Sequence, residues 1–243
     1  MPANIPAHEA LLRLQEGNRR FATDTRHADT LSSLTRRALV VGQQPFAIIL
    51  GCSDSRVPAE IIFDQGLGDL FVIRVGGNIV APSQIGSVEF AADRFGTRLV
   101  VVLGHSQCGV VLATLQELQA PDPTHSRNLR SIVDRVRPSV EGLLKTNLVN
   151  DPEALVREAV RANVRVSANQ LRHGSDLLSD ARQRAPGLRR GLGTIRFHAG
   201  CGRRHGTPQD SPGGALAAVV FHRADRRLRS VSAVWLHADS VAS

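Results

Sequence analysis

Short apolar runs that end at a glycine alternate along the chain with longer stretches whose apolar residues recur every three or four positions. Residues 46–50 (Phe-Ala-Ile-Ile-Leu) and 99–103 (Leu-Val-Val-Val-Leu) carry no polar residue, and the glycines that close them are Gly51 and Gly104. Such runs predict strands buried on both faces of a parallel sheet, each delivering its next side chains to a loop at its carboxyl end. A third strand is predicted at 71–75 (Phe-Val-Ile-Arg-Val), after the turn-rich connector 64–69. Gly76-Gly77-Asn78 follows it, a stretch that permits positive φ or close backbone approach and marks Gly76 as a pocket-lining position.

Helical spacing marks residues 9–21, with Leu11, Leu12, Leu14 and Phe21 among charges, and 84–95, with Ile85, Val88, Ala91, Ala92 and Phe95. Residues 109–118, 129–144 and 151–180 also read as helices, the last opening with Asp151 as N-cap and Pro152 at the first helical position. Strands alternating with helices define an α/β class: a central, mainly parallel β-sheet flanked by helices, with an N-terminal helical arm. Ligands bind such sheets outside the carboxyl ends of the strands.

Composition narrows the function. The 243 residues are enough for one substantial core, the N-terminus has no apolar signal region, and no apolar run reaches membrane length. A cytoplasmic protein is expected, and three cysteines do not make a disulfide framework. The net charge of +8 resides at one end: residues 181–243 hold eleven Arg, no Lys and three Asp, whereas residues 1–180 are balanced at nineteen basic and nineteen acidic side chains. No basic helix face or aromatic-interleaved groove appears in the body, which argues against nucleic acid as a partner.

The chemistry lies just past the two buried runs. Cys52 follows Gly51, and His105 and Cys108 follow Gly104 about fifty residues later. Two thiolates and one imidazole are ligands that zinc prefers, and three protein ligands without a fourth soft one describe a catalytic site with a position left for water. Asp54 and Arg56 follow Cys52 in the same predicted loop. On the surface such a pair is worth about 0–1 kcal/mol. Beside a metal ligand, the arginine fork can hold the carboxylate at a fixed angle toward the metal. His27, His125, His173 and His222 have no such setting and read as ordinary loop or surface histidines.

Cys52-Ser53-Asp54-Ser55-Arg56 and His105-Ser106-Gln107-Cys108 resemble the C-x-D-x-R and H-x-x-C runs of the β-class carbonic anhydrases. The likeness extends from about residue 7 to about residue 180, through 71–74 and 87–90. It implies one zinc ion per chain on Cys52, His105 and Cys108. It also implies reversible hydration of carbon dioxide to bicarbonate and a proton, by attack of zinc-bound hydroxide oriented by Asp54 and Arg56. In the family the equivalent of Asp54 either stays gripped by its arginine or swings onto the metal as a fourth ligand in a closed state. Gln43 stands where the family carries a glutamine that hydrogen-bonds a substrate oxygen. Phe71 and Phe90 match apolar pocket positions, the latter often a tyrosine, which this chain lacks altogether. The family's N-terminal helices lie across a neighbouring subunit, so the resemblance implies a homodimer or homotetramer; helix spacing alone equally allows packing on the chain's own sheet. Hydrolysis of carbonyl sulfide or carbon disulfide on the same fold, or zinc binding without catalysis, are the alternative functions.

Past about residue 182 the likeness stops. The chain therefore divides into a catalytic region, 1–182, and an atypical Arg-rich segment, 183–243, which contains 187–191 and Cys201 between His198 and His205, a spacing that matches no zinc module. Residues 216–221 and 228–236 still read as strands. A reading frame shifted near codon 182 accounts for both the lost likeness and the arginine bias, and predicts a sheet without its edge strand. Translating the gene in its other two frames checks this: one of them is expected to encode a strand-forming terminus like the family's, and the idea is wrong if neither does.

Overall fold

The computed structural model describes residues 5–27, 33–121, 123–175, 194–198, 215–224 and 227–230. Its strands are β1 (Ala47–Gly51), β2 (Leu70–Arg74), β3 (Leu99–His105), β4 (Thr194–His198), β5 (Ala215–Ala224) and β6 (Arg227–Ser230). The helices are α1 (Ala7–Ala22), α2 (Ser33–Ala38), α3 (Ala59–Ile62), α4 (Pro82–Arg94), α5 (Gly109–Gln119), α6 (Arg127–Val140) and α7 (Pro152–His173). Among the described residues no helix is long and apolar enough to cross a membrane.

One sheet organises the chain, in the order β2-β1-β3-β5-β4, with β6 on the remaining length of β5. The parallel pairing is between β1 and its neighbours β2 and β3; β5 runs antiparallel to β3, and β4 and β6 antiparallel to β5. Every residue of β1 and β3 is buried, as strands covered on both faces must be. Ala47, Ile49, Leu99, Val101 and Leu103 face one layer, with α1, α3, α5 and the first half of α7. Ile48, Leu50, Val100 and Val102 face the other, closed by Val88, Ala91 and Ala92 of α4 and by Val164, Ala168 and Leu171 of α7. The sheet does not stop at β3: the backbone of residues 216–222 pairs along its whole length. The 187–191 run and the Cys201–His205 pair lie outside the described residues.

Helix α1 packs on its own chain. Ala10 and Leu14 are fully buried, Asn18 donates to the Ile62 carbonyl at 2.9 Å, and Arg20 pairs with the buried carboxylate of Asp64. Arg13 reaches Gln65 and Asp69 and lies 4.3 Å from the centre of the Phe46 ring. The closest approach is at Gly17, where a Cβ would sit 1.7 Å from the Phe63 carbonyl oxygen. Backbone cannot yield there as a side-chain tip would, so α1 must undock or shift. Gly17→Ala is therefore expected to destabilise the fold by about 1–3 kcal/mol despite the better helix propensity of alanine, read as a lower denaturation midpoint. A midpoint at or above the parental one would show that α1 is not docked in this way.

Candidate active site

Three elements deliver three side chains of metal-binding type to one edge of the sheet. Cys52 is the first residue past β1, His105 is the last residue of β3, and Cys108 occupies the N-cap position of α5. Because β1 and β3 run parallel, with Gly51 opposite Leu103, both carboxyl ends open on the same side. The Cys52 and Cys108 sulfurs are 3.9 Å apart. Together with a ring nitrogen of His105, the ligand atoms all lie within 4.8 Å of one another. All three side chains are buried.

The hydrogen bonds fix the state of the imidazole. His105 Nδ1 lies 3.0 Å from the Ser106 carbonyl oxygen, which can only accept, so Nδ1 carries a proton and Nε2 is the ring nitrogen left to bind a metal in the neutral imidazole. Nε2 is buried and has no hydrogen-bond partner among the described residues. The sulfurs share one proton. The hydrogen bond with Cys108, then the His105 side chain and the Asp54 and Gly77 backbone N–H groups, push the Cys52 thiol well below its usual range, against the effect of burial. Cys108 is pushed up by the same partner, by desolvation and by the neighbouring negative charge, although the Val111 and Val110 N–H groups at the start of α5 act the other way. An orphaned imidazole nitrogen beside two sulfurs held at one negative charge is the donor set of a soft divalent cation, and these residues can hold one metal ion.

The Asp54 carboxylate stands at the mouth of this cluster. Arg56 grips both oxygens, Nε to Oδ1 at 2.8 Å and Nη2 to Oδ2 at 2.7 Å, while its own backbone N–H donates to Oδ1 at 3.0 Å. The Arg56 side chain, through this bidentate bond first, holds the Asp54 carboxyl well below the usual carboxylate range. Oδ2 remains 3.8 Å from His105 Nε2. Arg56 also donates to the Gln107 carbonyl at 3.1 Å, tying the loop after β1 to the loop after β3. Arg74, at the end of β2, donates to the carbonyls of Cys52 and Asp54.

Cys52, Asp54, Arg56, His105 and Cys108 thus meet, and Gly76 lies beside them, its α-carbon facing Val110. Gln43, Phe71 and Phe90 do not join them within one chain. Gln43 is exposed in the loop before β1, at the opposite end of that strand from Cys52. Phe71 pairs in register with Ile48, four residues short of Cys52, and clusters with Phe90 and Phe95 on the α4 side at centroid distances of 5.8–6.2 Å. Sequence reasoning gave Gly77 only a share in the pocket-lining 76–78 stretch and assigned no role to Arg74 or Gln107. Gly77 donates its N–H to Cys52 Sγ at 3.4 Å from a φ of 70°, and Gln107 takes a φ of 53°. The signal for Gly77 was the Gly-Gly-Asn run after a strand; Arg74 and Gln107 had none.

A thiolate and imidazole cluster at the carboxyl edge of an α/β sheet, faced by an arginine-held carboxylate, is the arrangement of a candidate metal-dependent active site. Comparison with known proteins makes the class specific. The "Carbonic anhydrase" family model matches residues 47–187. "Carbonic anhydrase 2" of Mycobacterium tuberculosis is 46% identical over 141 residues, 58% of this chain and 67% of that one. The carbonic anhydrase of Mycolicibacterium smegmatis is 42% identical over 140 residues, again 58% and 67%. Among solved structures, the β-carbonic anhydrase CafA of Aspergillus fumigatus superimposes with a TM-score of 0.54 at 26% identity, covering 73% of this chain and 80% of that one. A tetrameric β-carbonic anhydrase from Sordaria macrospora gives 0.50 at 27% identity, covering 68% and 80%. The chain belongs to the β-class carbonic anhydrases, a family of enzymes.

Gly77 offers a test of the local geometry. An added Cβ would lie 2.7 Å from Val110 Cγ1, and the left-handed φ is costly for any other residue. Gly77→Ala should cost about 1–2 kcal/mol from the backbone alone and more from the clash. Adding Val110→Ala should recover the clash, so that the double variant loses less stability than the sum of the two single losses. Strictly additive losses would show that the two residues are not in contact.

Proposed function

We propose that this chain is a zinc-dependent carbonic anhydrase that converts carbon dioxide and water to bicarbonate and a proton, reversibly. The observation that carries this reading is the convergence of Cys52 Sγ, Cys108 Sγ and the unpartnered His105 Nε2 beside a carboxylate locked by Arg56. Zinc bound there supplies a Lewis acid able to make a hydroxide nucleophile available near neutral pH.

The protein's own groups do the rest. Asp54 is ionised over the working range and can only accept a hydrogen bond, so it orients the attacking water through Oδ2 and does not store its proton. Oδ1 already accepts two bonds from Arg56, which leaves Oδ2, with one, as the free acceptor facing His105 Nε2. The proton released on bicarbonate formation goes to solvent buffer. Gly76 and Gly77 bring their backbone close to the cluster, with Val110 packed against their α-carbons.

Gln43, Phe71 and Phe90 act on substrate only if a second copy of the chain carries them to this edge, because within one chain they lie at the other end of β1 or on the α4 side. A homo-oligomer fits that requirement, and the Sordaria macrospora relative is tetrameric.

Metal analysis coupled to a stopped-flow hydration assay tests the reading. One zinc per chain and hydration of carbon dioxide are expected. Cys52→Ala and His105→Ala should each lose the zinc; a variant that keeps it stoichiometrically does not have a ligand at that position. Asp54→Asn should retain the metal and slow hydration roughly 10- to 100-fold, and unchanged turnover would remove Asp54 from the mechanism. Zinc-loaded protein that turns over carbonyl sulfide and not carbon dioxide would overturn the substrate assignment.

A further inference from the structure

The peptide unit between Gly77 and Asn78 is held at both ends. Its carbonyl accepts a 2.7 Å hydrogen bond from Asn163 Nδ2, and its N–H donates to the Val75 carbonyl at 3.0 Å. A peptide unit is planar, so two bonds on opposite edges fix its orientation. Only the φ and ψ of Gly77 separate that unit from the preceding one, whose N–H donates to Cys52 Sγ. On the other side Val110 stands within van der Waals reach of the Gly77 α-carbon and bars any side chain there. The donor to the sulfur is thereby set by groups that never touch it.

Asn163 is an unusual residue for its position. It is 1% exposed on the inner face of α7, among Ala159, Val160, Val164 and Ser167, where an alanine would be a better helix former and would bury no amide. Its orientation is fixed by chemistry: Gly77 O can only accept, so the NH₂ group faces it. The Asn163 carbonyl oxygen lies 3.5 Å from Ser139 Oγ, but that hydroxyl is committed at 2.6 Å to the Val136 carbonyl, so Ser139 is a weak partner. The bond that accounts for the amide is the one to Gly77.

We infer that Asn163 is a positioning residue for the metal centre: acting through Gly77, it holds the N–H that hydrogen-bonds Cys52 Sγ and so tunes this ligand toward the metal. A hydrogen bond to a thiolate stabilises its charge and fixes the direction of the remaining lone pairs, and such outer partners commonly control affinity and reactivity. The inference rests on zinc occupying the cluster, as proposed above.

The test compares full-length Asn163→Asp and Asn163→Ala with the parent and with Ser139→Ala, which disturbs the same packing but leaves the Gly77 bond. Each protein is loaded with zinc and challenged with a chelator, loaded with cobalt for its sulfur-to-metal charge-transfer band, and followed for amide exchange at Gly77. Asn163→Asp puts an acceptor against the Gly77 carbonyl. It should release zinc roughly 10- to 100-fold more readily, shift the cobalt band and exchange the Gly77 amide faster. Asn163→Ala should do the same in direction, and it decides the matter if the buried aspartate prevents folding. Ser139→Ala should stay at parental values. Asn163 variants with parental chelator resistance and band, or a Ser139→Ala variant that moves as far as they do, would overturn the inference. A parental protein that takes up no zinc defeats the zinc reading as well, which separates that failure from this one.

Discussion

Two sulfurs 3.9 Å apart in a buried pocket cannot both carry charge unaided. Two unit charges at that distance repel by about 4 kcal/mol at an effective dielectric of about 20, and burial adds a desolvation cost to each. Without a cation the pair therefore shares one proton and one negative charge across the two sulfurs. A divalent ion would reverse the balance, since its charge makes both ionised sulfurs favourable and it can accept the lone pair of His105 Nε2. The rest of the structure serves this one requirement. A parallel sheet with both faces covered brings two strand ends to the same low-dielectric edge, and the start of α5 adds N–H groups where Cys108 needs them.

Convergence alone would leave the loops free to relax apart, and arginines oppose that. Arg56 spans from Asp54 to Gln107, joining the two ligand loops. Arg74 holds the carbonyls of Cys52 and Asp54 from the end of β2. Arg56 is exposed, so its value is not the energy of a surface ion pair, which would be small. Its fork satisfies three acceptors in two loops at fixed angles, which an ammonium group could not do. Two residues adjoining the cluster, Asn78 and Gln107, take φ values of 44° and 53°. Non-glycine residues avoid that region unless their surroundings impose it. Here the surroundings are the hydrogen bonds that aim a backbone N–H at Cys52 and a carbonyl at Arg56.

Those features that follow from local pattern were legible in the chain. Unbroken apolar runs ending at Gly51 and Gly104 revealed β1 and β3, and residues just past such runs revealed Cys52, His105 and Cys108. β3 extends two residues beyond its apolar run, so that His105 is part of the strand and its direction is fixed by the sheet. The helix expected through residue 180 stops at His173 with Gly174 as its cap, and only a glycine marked that end. Short elements such as α2 and α3 have too few residues to show a period. Contacts across the fold that no motif marks could not be read. Asn163 reaches Gly77 across eighty-six residues, Arg74 serves a loop twenty residues earlier, and nothing in either neighbourhood distinguishes them from an ordinary helix amide or strand-end arginine.

The outer neighbour of the ligand strand has a looser specification than its inner one. β1 must supply Cys52 and bury side chains on both faces, so its sequence is constrained twice. β5 pairs with β3 from Leu99 opposite His222 to His105 opposite Leu216, and the backbone groups of β3 are satisfied by any chain able to present N–H and C=O in that register. β5 lies beyond residues 47–187, where the family model matches. A stretch such as 216–221, rich in alanine and valine, meets the demand for strand formation with no further chemistry. The arginine excess of the terminal segment can therefore coexist with an intact ligand strand, because what His105 requires from that side is backbone pairing, and its imidazole takes its own orientation from the Ser106 carbonyl.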